Sequence, residues 1–192
     1  MKPAPATLCQ AIIPRTGAAT DAALIVGFAV LTAVSAQVRV PLPFTPVPVT
    51  GQTFVVLLCG AALGSARGVL AQGLYLALAC AGLPILTGGR PAFPLPPTSG
   101  YLVGFVVAAY LVGRLVERGW DRRLRTAVVA MAAGDAVLLL CGVAWLAVVV
   151  GGPPAKVLAM GLWPFIPGDL LKVALAAGML PSAWALLGRR AR

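Results

Sequence analysis

Apolar residues run along this chain in long blocks, not in alternation with polar ones. Windows of spanning length fall near 20–38, 50–65, 68–86, 100–117, 126–150 and 162–188. Each reads as a membrane helix, since about 20 apolar residues cross a bilayer core. Six such helices fill a single domain over residues 1–192 and leave no room for a sizeable extramembrane domain. The second block is short, and Pro41, Pro43, Pro46 and Pro48 ahead of it exclude regular helix, so that stretch is predicted as an ordered loop. The first block ends in Val34-Ser35-Ala36, which has the look of a signal-peptide cleavage site. Its basic leader is longer and richer in Pro than a short n-region, and the apolar run continues to Val38, so it is predicted to be retained as a span. Both termini then lie on one side.

Composition and charge set the environment and the orientation. Hydrophobic residues make up 60% of the chain and charged ones 10%, with a mean hydropathy of +0.96; a water-soluble globule is excluded. The formal charge of +10 would suggest nucleic acid in a soluble protein. Here the main basic cluster, Arg114 to Arg125, lies between two apolar blocks without interleaved aromatics, where topology-setting charge belongs, and no nucleic acid partner is expected. With the N-terminus inside, Lys2, Arg15, Arg67, the Arg114 to Arg125 cluster, Arg189, Arg190 and Arg192 are cytoplasmic. Only Arg39, Arg90 and Lys156 are outside, and Lys172 lies within a span. The asymmetry predicts cytoplasmic termini and long, Pro/Gly-rich outer loops at 39–49, 87–99 and 151–161. Long ordered loops commonly carry function, which points to the outer face. Small residues four apart, Ala18/Ala22, Ala19/Ala23, Ala29/Ala33 and Gly60/Gly64, allow close helix approach, either inside the bundle or at a docking surface on the first helix.

The chemistry available is narrow. The chain has no His, and its four cysteines, Cys9, Cys59, Cys80 and Cys141, form no CxxC pair, so neither a zinc site nor a His-activated nucleophile is expected. No metal site, cofactor or catalytic residue is assigned. GxxxxGK[ST] is absent, so the chain does not use ATP through a P-loop of its own. Ionisable residues inside spans are costly and are candidates for function. Asp169 and Lys172 are three apart, sharing a helix face with their Cβ atoms about 5–6 Å apart. They form either a packing ion pair or part of an outward-opening pocket. Pro164, Pro167 and Gly168 at the helix start favour the pocket, with Gly168 allowing close backbone approach. Asp135 near the middle of the fifth span pairs with Lys172, lines the pocket or is structural; the last is the preferred reading. A second candidate region is Thr87-Gly88-Gly89-Arg90-Pro91, followed by Pro97-Thr98-Ser99-Gly100-Tyr101. Its glycines free backbone N–H groups, and Arg90 can hold a carboxylate bidentately.

Together, the six spans, Pro46-Val47-Pro48-Val49-Thr50-Gly51-Gln52-Thr53, Gly82-Leu83-Pro84, Gly88-Gly89-Arg90, Pro97 to Phe105 and Trp163-Pro164-Phe165-Ile166-Pro167-Gly168-Asp169-Leu170-Leu171-Lys172 resemble the BioY family. These are the biotin-capturing S components of energy-coupling factor transporters. The resemblance runs in order from about Ala22 to Leu187, and Pro-Gly-Asp-x-x-Lys is its most specific part. It implies an all-α six-helix bundle in the cytoplasmic membrane that binds biotin from outside. It also implies partnership with a transmembrane coupling protein and a pair of ABC-type ATPases, which accounts for the missing P-loop.

On that resemblance, the site is expected to comprise Asp169, Lys172, Arg90, Gly88, Gly89, Tyr101, Gln52, Phe44 and Trp163. Asp169 suits the ureido N–H donors, because an ionised carboxylate only accepts hydrogen bonds. Lys172 serves the ureido carbonyl, or else the tail carboxylate. Arg90 or loop N–H groups take the tail, and Tyr101, Phe44 and Trp163 supply apolar walls. Ala22, Ala29 and Ala33 match the docking surface of S components. The chain departs from the family at Pro91-Ala92-Phe93-Pro94-Leu95-Pro96, where members are richer in Gly, and Asp135 has no counterpart. Competing expectations are the same architecture tuned to another vitamin or a biotin precursor, a membrane-embedded enzyme using Asp169 or Asp135, and a scaffold that only packs partners.

Overall fold

The computed structural model describes residues 7–13, 17–90, 92–93 and 95–190, with the backbone alone for 188–190. Lys2, Arg15, Pro91, Pro94 and Arg192 lie outside the described residues. The helices are α1 (Leu8–Ile12), α2 (Ala18–Ser35), α3 (Gln52–Leu63), α4 (Ser65–Cys80), α5 (Ser99–Val116), α6 (Leu124–Val150), α7 (Pro154–Gly161) and α8 (Ile166–Arg190). The two-residue strands β1 (Arg39–Val40) and β2 (Val49–Thr50) pair antiparallel across the Pro-rich stretch. Among the described residues α2, α5, α6 and α8 are long and apolar enough to cross a membrane. The other two expected spans become α3 and α4, with 12 and 16 residues. At 1.5 Å per residue these are about 18 and 24 Å long.

The boundaries depart from expectation where a neighbour intervenes. The third span was expected to reach residue 86, but α4 ends at Cys80 and no helix follows among the described residues until Ser99. The segment 151–161 was expected to be loop, yet Pro153-Pro154 starts α7 there, with Pro at the first helical position, where its missing N–H costs nothing. A turn over 162–165 then delays α8 to Ile166. A single residue, Gly64, separates α3 from α4; its φ of +85° is a conformation that L side chains rarely adopt. Glu117 Oε1 accepts from the Ser65 N–H at 2.7 Å and from Ser65 Oγ at 2.8 Å, which satisfies the free end of α4.

Small residues place α5 at the centre. A β-carbon at Gly104 would stand 3.0 Å from the Leu138 backbone of α6, and one at Gly60 of α3 would stand 2.6 Å from the Ala109 carbonyl of α5. Such contacts are open to glycine alone and let helices associate without a hydrophobic driving force in lipid. Two apolar clusters result. One, around Tyr75, Tyr101, Phe105, Leu138 and Phe165, lies at the end bearing β1, β2, α7 and the described residues of the α4–α5 connection, called here the mouth end. The other, around Leu57, Val112, Met131, Ala176 and Leu180, fills the opposite end.

Helix α2 lies at the periphery. Asp21 meets Arg67 of α4 at 2.9 Å, and buried Gln72 of α4 donates to Thr32 at 3.2 Å. Of the three alanines expected on a docking surface, Ala22 is exposed. Ala29 is buried in the cluster with Tyr75 and Ala79, and Ala33 packs partly buried against it. The Ala29/Ala33 pair therefore serves the bundle's own packing, because this face of α2 turns toward α4.

Candidate functional site

The site starts from the way α8 begins. Pro164 lies in the turn and Pro167 at the second position of α8, after which the Asp169 N–H donates to the Phe165 carbonyl at 2.8 Å and the helix continues. This sets Asp169 in the first turn of α8, where the helix dipole favours negative charge. Lys172, one turn on, meets Asp169 Oδ1 at 2.8 Å, and both side chains are largely withdrawn from solvent. Gly168 has a different role from the one expected. A β-carbon there would make only an ordinary contact with Val49 at 3.8 Å, so no close backbone approach depends on it.

The pair lies in a cleft at the mouth end. Its walls are Tyr101, Leu102 and Phe105 of α5, Leu138 and Leu139 of α6, and Phe165 of the turn before α8, and Val47, Pro48, Thr50 and Thr87 close it from the loops. Tyr101 is fixed at both ends: Gly142 of α6 lies beneath its ring, and its hydroxyl donates to the Gly161 carbonyl at the end of α7 at 2.6 Å. Gln52 lines the cleft from the first turn of α3. Its amide is already engaged, donating to Tyr75 Oη at 2.9 Å and accepting from Thr50 at 3.3 Å and Thr87 at 3.4 Å. Gln52 thus ties α3, α4 and the α4–α5 connection together.

The remaining expected residues are distributed differently. Arg90 lines an adjoining outer cavity that shares Pro48, Leu86, Thr87 and Thr98 with the cleft. Gly88 and Gly89 line neither cavity; their φ values of +78° and +68° shape the turn that delivers Arg90. Phe44 and Trp163 are 58% and 59% exposed and do not line the cleft. Phe44 sits in the connection between β1 and β2, pointing away from the bundle, while Trp163 lies in the turn after α7, where Phe165 two positions later supplies the buried ring. Asp135 lies on a lateral groove between α6 and α8 that shares Leu139 and Asp169 with the cleft. Its Oδ1 is buried without a hydrogen-bond partner among the described residues, and the ion pair of Lys172 is made with Asp169.

Sequence reasoning passed over Leu102, Phe105, Leu138, Leu139 and Phe165, all of which line the cleft. The available signal was the i, i+4 spacing of Tyr101 and Phe105 and the position of Phe165 between two prolines of the Asp169 motif. Among the described residues no group of three His, Cys, Asp or Glu is placed to hold a metal ion. The cleft can accept and donate hydrogen bonds at its Asp169/Lys172 end, enclose an apolar body between aromatic and aliphatic walls, and meet a cation at its outer opening.

Comparison with known proteins gives a consistent result. The sequence model of the BioY family matches residues 7–189. The chain is 38% identical over 165 residues to the biotin transporter BioY of Rhizobium etli, covering 81% of this chain and 84% of the relative. It is 40% identical over 165 residues to the biotin transporter BioY of Rhodobacter capsulatus, covering 77% and 83%. Among solved structures, the crystal structure of the S-component for biotin from an ECF-type ABC transporter matches with a TM-score of 0.76 and 25% identity, covering 85% of this chain and 90% of that one.

Proposed function

Because this chain belongs to the BioY family, we propose that it captures biotin at the outer face of the cytoplasmic membrane and serves its uptake as the substrate-binding component of an ECF-type transporter. It is a transporter subunit and not an enzyme. The observation that carries this reading is the Asp169–Lys172 pair, withdrawn from solvent at one end of an apolar-walled cleft. Asp169 accepts from the ureido N–H groups and Lys172 donates to the ureido carbonyl. The thioether ring lies against Tyr101, Phe105 and Leu139, and the tail runs outward to Arg90.

In this reading the single domain spans the membrane six times with both termini cytoplasmic and the mouth end outside. Arg67, Arg114, Arg118, Arg122, Arg123 and Arg125 all lie toward the opposite end, which supports that orientation. Helices α3 and α4 count as spans despite their length, seated among longer helices. With no P-loop of its own, the subunit draws energy from partners, a transmembrane coupling protein and ABC-type ATPases. These dock on the exposed face of α2 that carries Ala22. Membrane lipid surrounds the rest.

The test is calorimetric titration of biotin into the purified, ligand-free chain in detergent. One-to-one submicromolar binding, displaced by biotin analogues and not by unrelated vitamins, is expected. Folded, ligand-free protein that gives no heat with biotin overturns the reading. Preferential binding of dethiobiotin would assign the same architecture to a biotin precursor.

A further inference from the structure

The outer cavity contains a second cation that the reading above does not use. Arg39 lines it together with Arg90. The β1–β2 register pairs Arg39 with Thr50. Directly opposed residues of an antiparallel pair lie on one face with Cβ atoms about 4.5–5.5 Å apart. Thr50 lines the inner cleft while Arg39 lines the outer cavity, so the short strand pair sets Arg39 at the junction of the two. The guanidinium is also seated: it rests on Gly88, where an added β-carbon would overlap Nη1 and stand 2.9 Å from Cζ. Arg39 itself stays exposed, so this seat holds the guanidinium at the cavity without burying it.

Charge accounting gives the cavity its sign. The chain has five acidic residues. Asp21 meets Arg67, Glu117 meets Arg114, Asp121 meets Arg122, and Asp169 meets Lys172. Asp135 lies on the lateral groove. No acidic residue lines the outer cavity among the described residues, so its lining carries two arginines and no carboxylate. Like charges gathered in a partly enclosed space raise the local potential for an anion, and arginine matches a carboxylate bidentately.

We infer that Arg39 is a second anchor for the ligand's terminal carboxylate, acting with Arg90 across the outer cavity, and that it makes this chain select the free acid over uncharged esters of the same body. The inference rests on the biotin reading. Arg39 acts at the tail, while Asp169 and Lys172 act at the ring, so the contributions separate by ligand chemistry.

The experiment compares biotin with biotin methyl ester on the purified chain, on Arg39→Gln and on Arg39→Lys, with thermal unfolding in detergent as a check on the fold. Arg39→Gln is expected to weaken biotin tenfold or more while changing the ester less than threefold, and Arg39→Lys is expected to recover part of the preference for the acid. Equal weakening of acid and ester, or unchanged affinity for the acid, overturns the inference while leaving the biotin reading standing. If the unaltered chain binds neither compound, the biotin reading fails and this assignment fails with it.

Discussion

Gly142 of α6 lies directly beneath the ring of Tyr101 of α5, so that an added β-carbon would run into Cγ, Cδ1 and Cε1. The ring also lines the cleft, and its hydroxyl holds the end of α7 through Gly161. The small residue on one helix therefore sets the position of the aromatic wall on another. Gly142→Ala is expected to displace the Tyr101 ring, to cost about 1–3 kcal/mol of stability as overpacking does, and to weaken biotin. Unfolding and titration of the variant check both; a variant with native stability and affinity would show that Tyr101 can relocate freely.

The ring end of the ligand is predicted to depend on charge at two positions. Asp169→Asn and Lys172→Ala should each weaken biotin at least tenfold, about 1.4 kcal/mol. Each variant also leaves its partner buried without a counter-charge, which is costly in itself. Native affinity in both variants, read by the same titration, would remove the site assignment.

Asp135 is predicted to act differently from its neighbour. Its Oδ1 is buried without a hydrogen-bond partner among the described residues, and leaving such a group unsatisfied costs roughly 1–3 kcal/mol. Asp135→Asn keeps the shape and removes the charge, so a higher melting temperature with biotin affinity within threefold of native is expected. A collapse of affinity would move Asp135 into the ligand site.

The turn between α5 and α6 carries a pH-dependent contribution to stability. Trp184 of α8 donates to buried Asp121, and Arg122 covers the Trp184 ring at 3.5 Å. Burial pushes the Asp121 carboxyl above its usual range, outweighing the Trp184 hydrogen bond and the Arg122 charge, which pull it down. A raised carboxyl stabilises the fold below the ordinary carboxylate range, and that stability is lost as pH rises through the folded value. Melting temperature should therefore fall with rising pH more steeply in the native chain than in Asp121→Asn, whose amide oxygen still accepts from Trp184. Parallel profiles would contradict this.

The face of α2 can be tested separately. Ala22→Trp is expected to leave biotin binding intact while preventing co-purification with the coupling protein and ATPases. Ala29→Leu is expected to lower stability, because Ala29 is 3% exposed inside the bundle. The reverse pattern would return the docking surface to the buried alanines.

The sequence by itself determined that the chain is a membrane bundle, where its main helices run and that Asp169 and Lys172 share one helix face within it, whereas the burial of Asp121 left no mark in it. Those properties follow from the cost of exposing polar backbone to lipid and from the three-residue spacing of Asp169 and Lys172, and both act locally along the chain. Only the tertiary structure decided which aromatic rings wall the cleft. Phe165 turns inward and Trp163 outward within one short turn, a choice made by the surfaces of α5 and α6 and not by hydrophobicity. Tertiary packing likewise put Ala29 inside while Ala22 stayed out, and the pairing of two distant dipeptides brought Arg39 to the cavity of Arg90. Contacts of that kind join residues far apart in sequence, and no local pattern encodes which neighbour a side chain will meet.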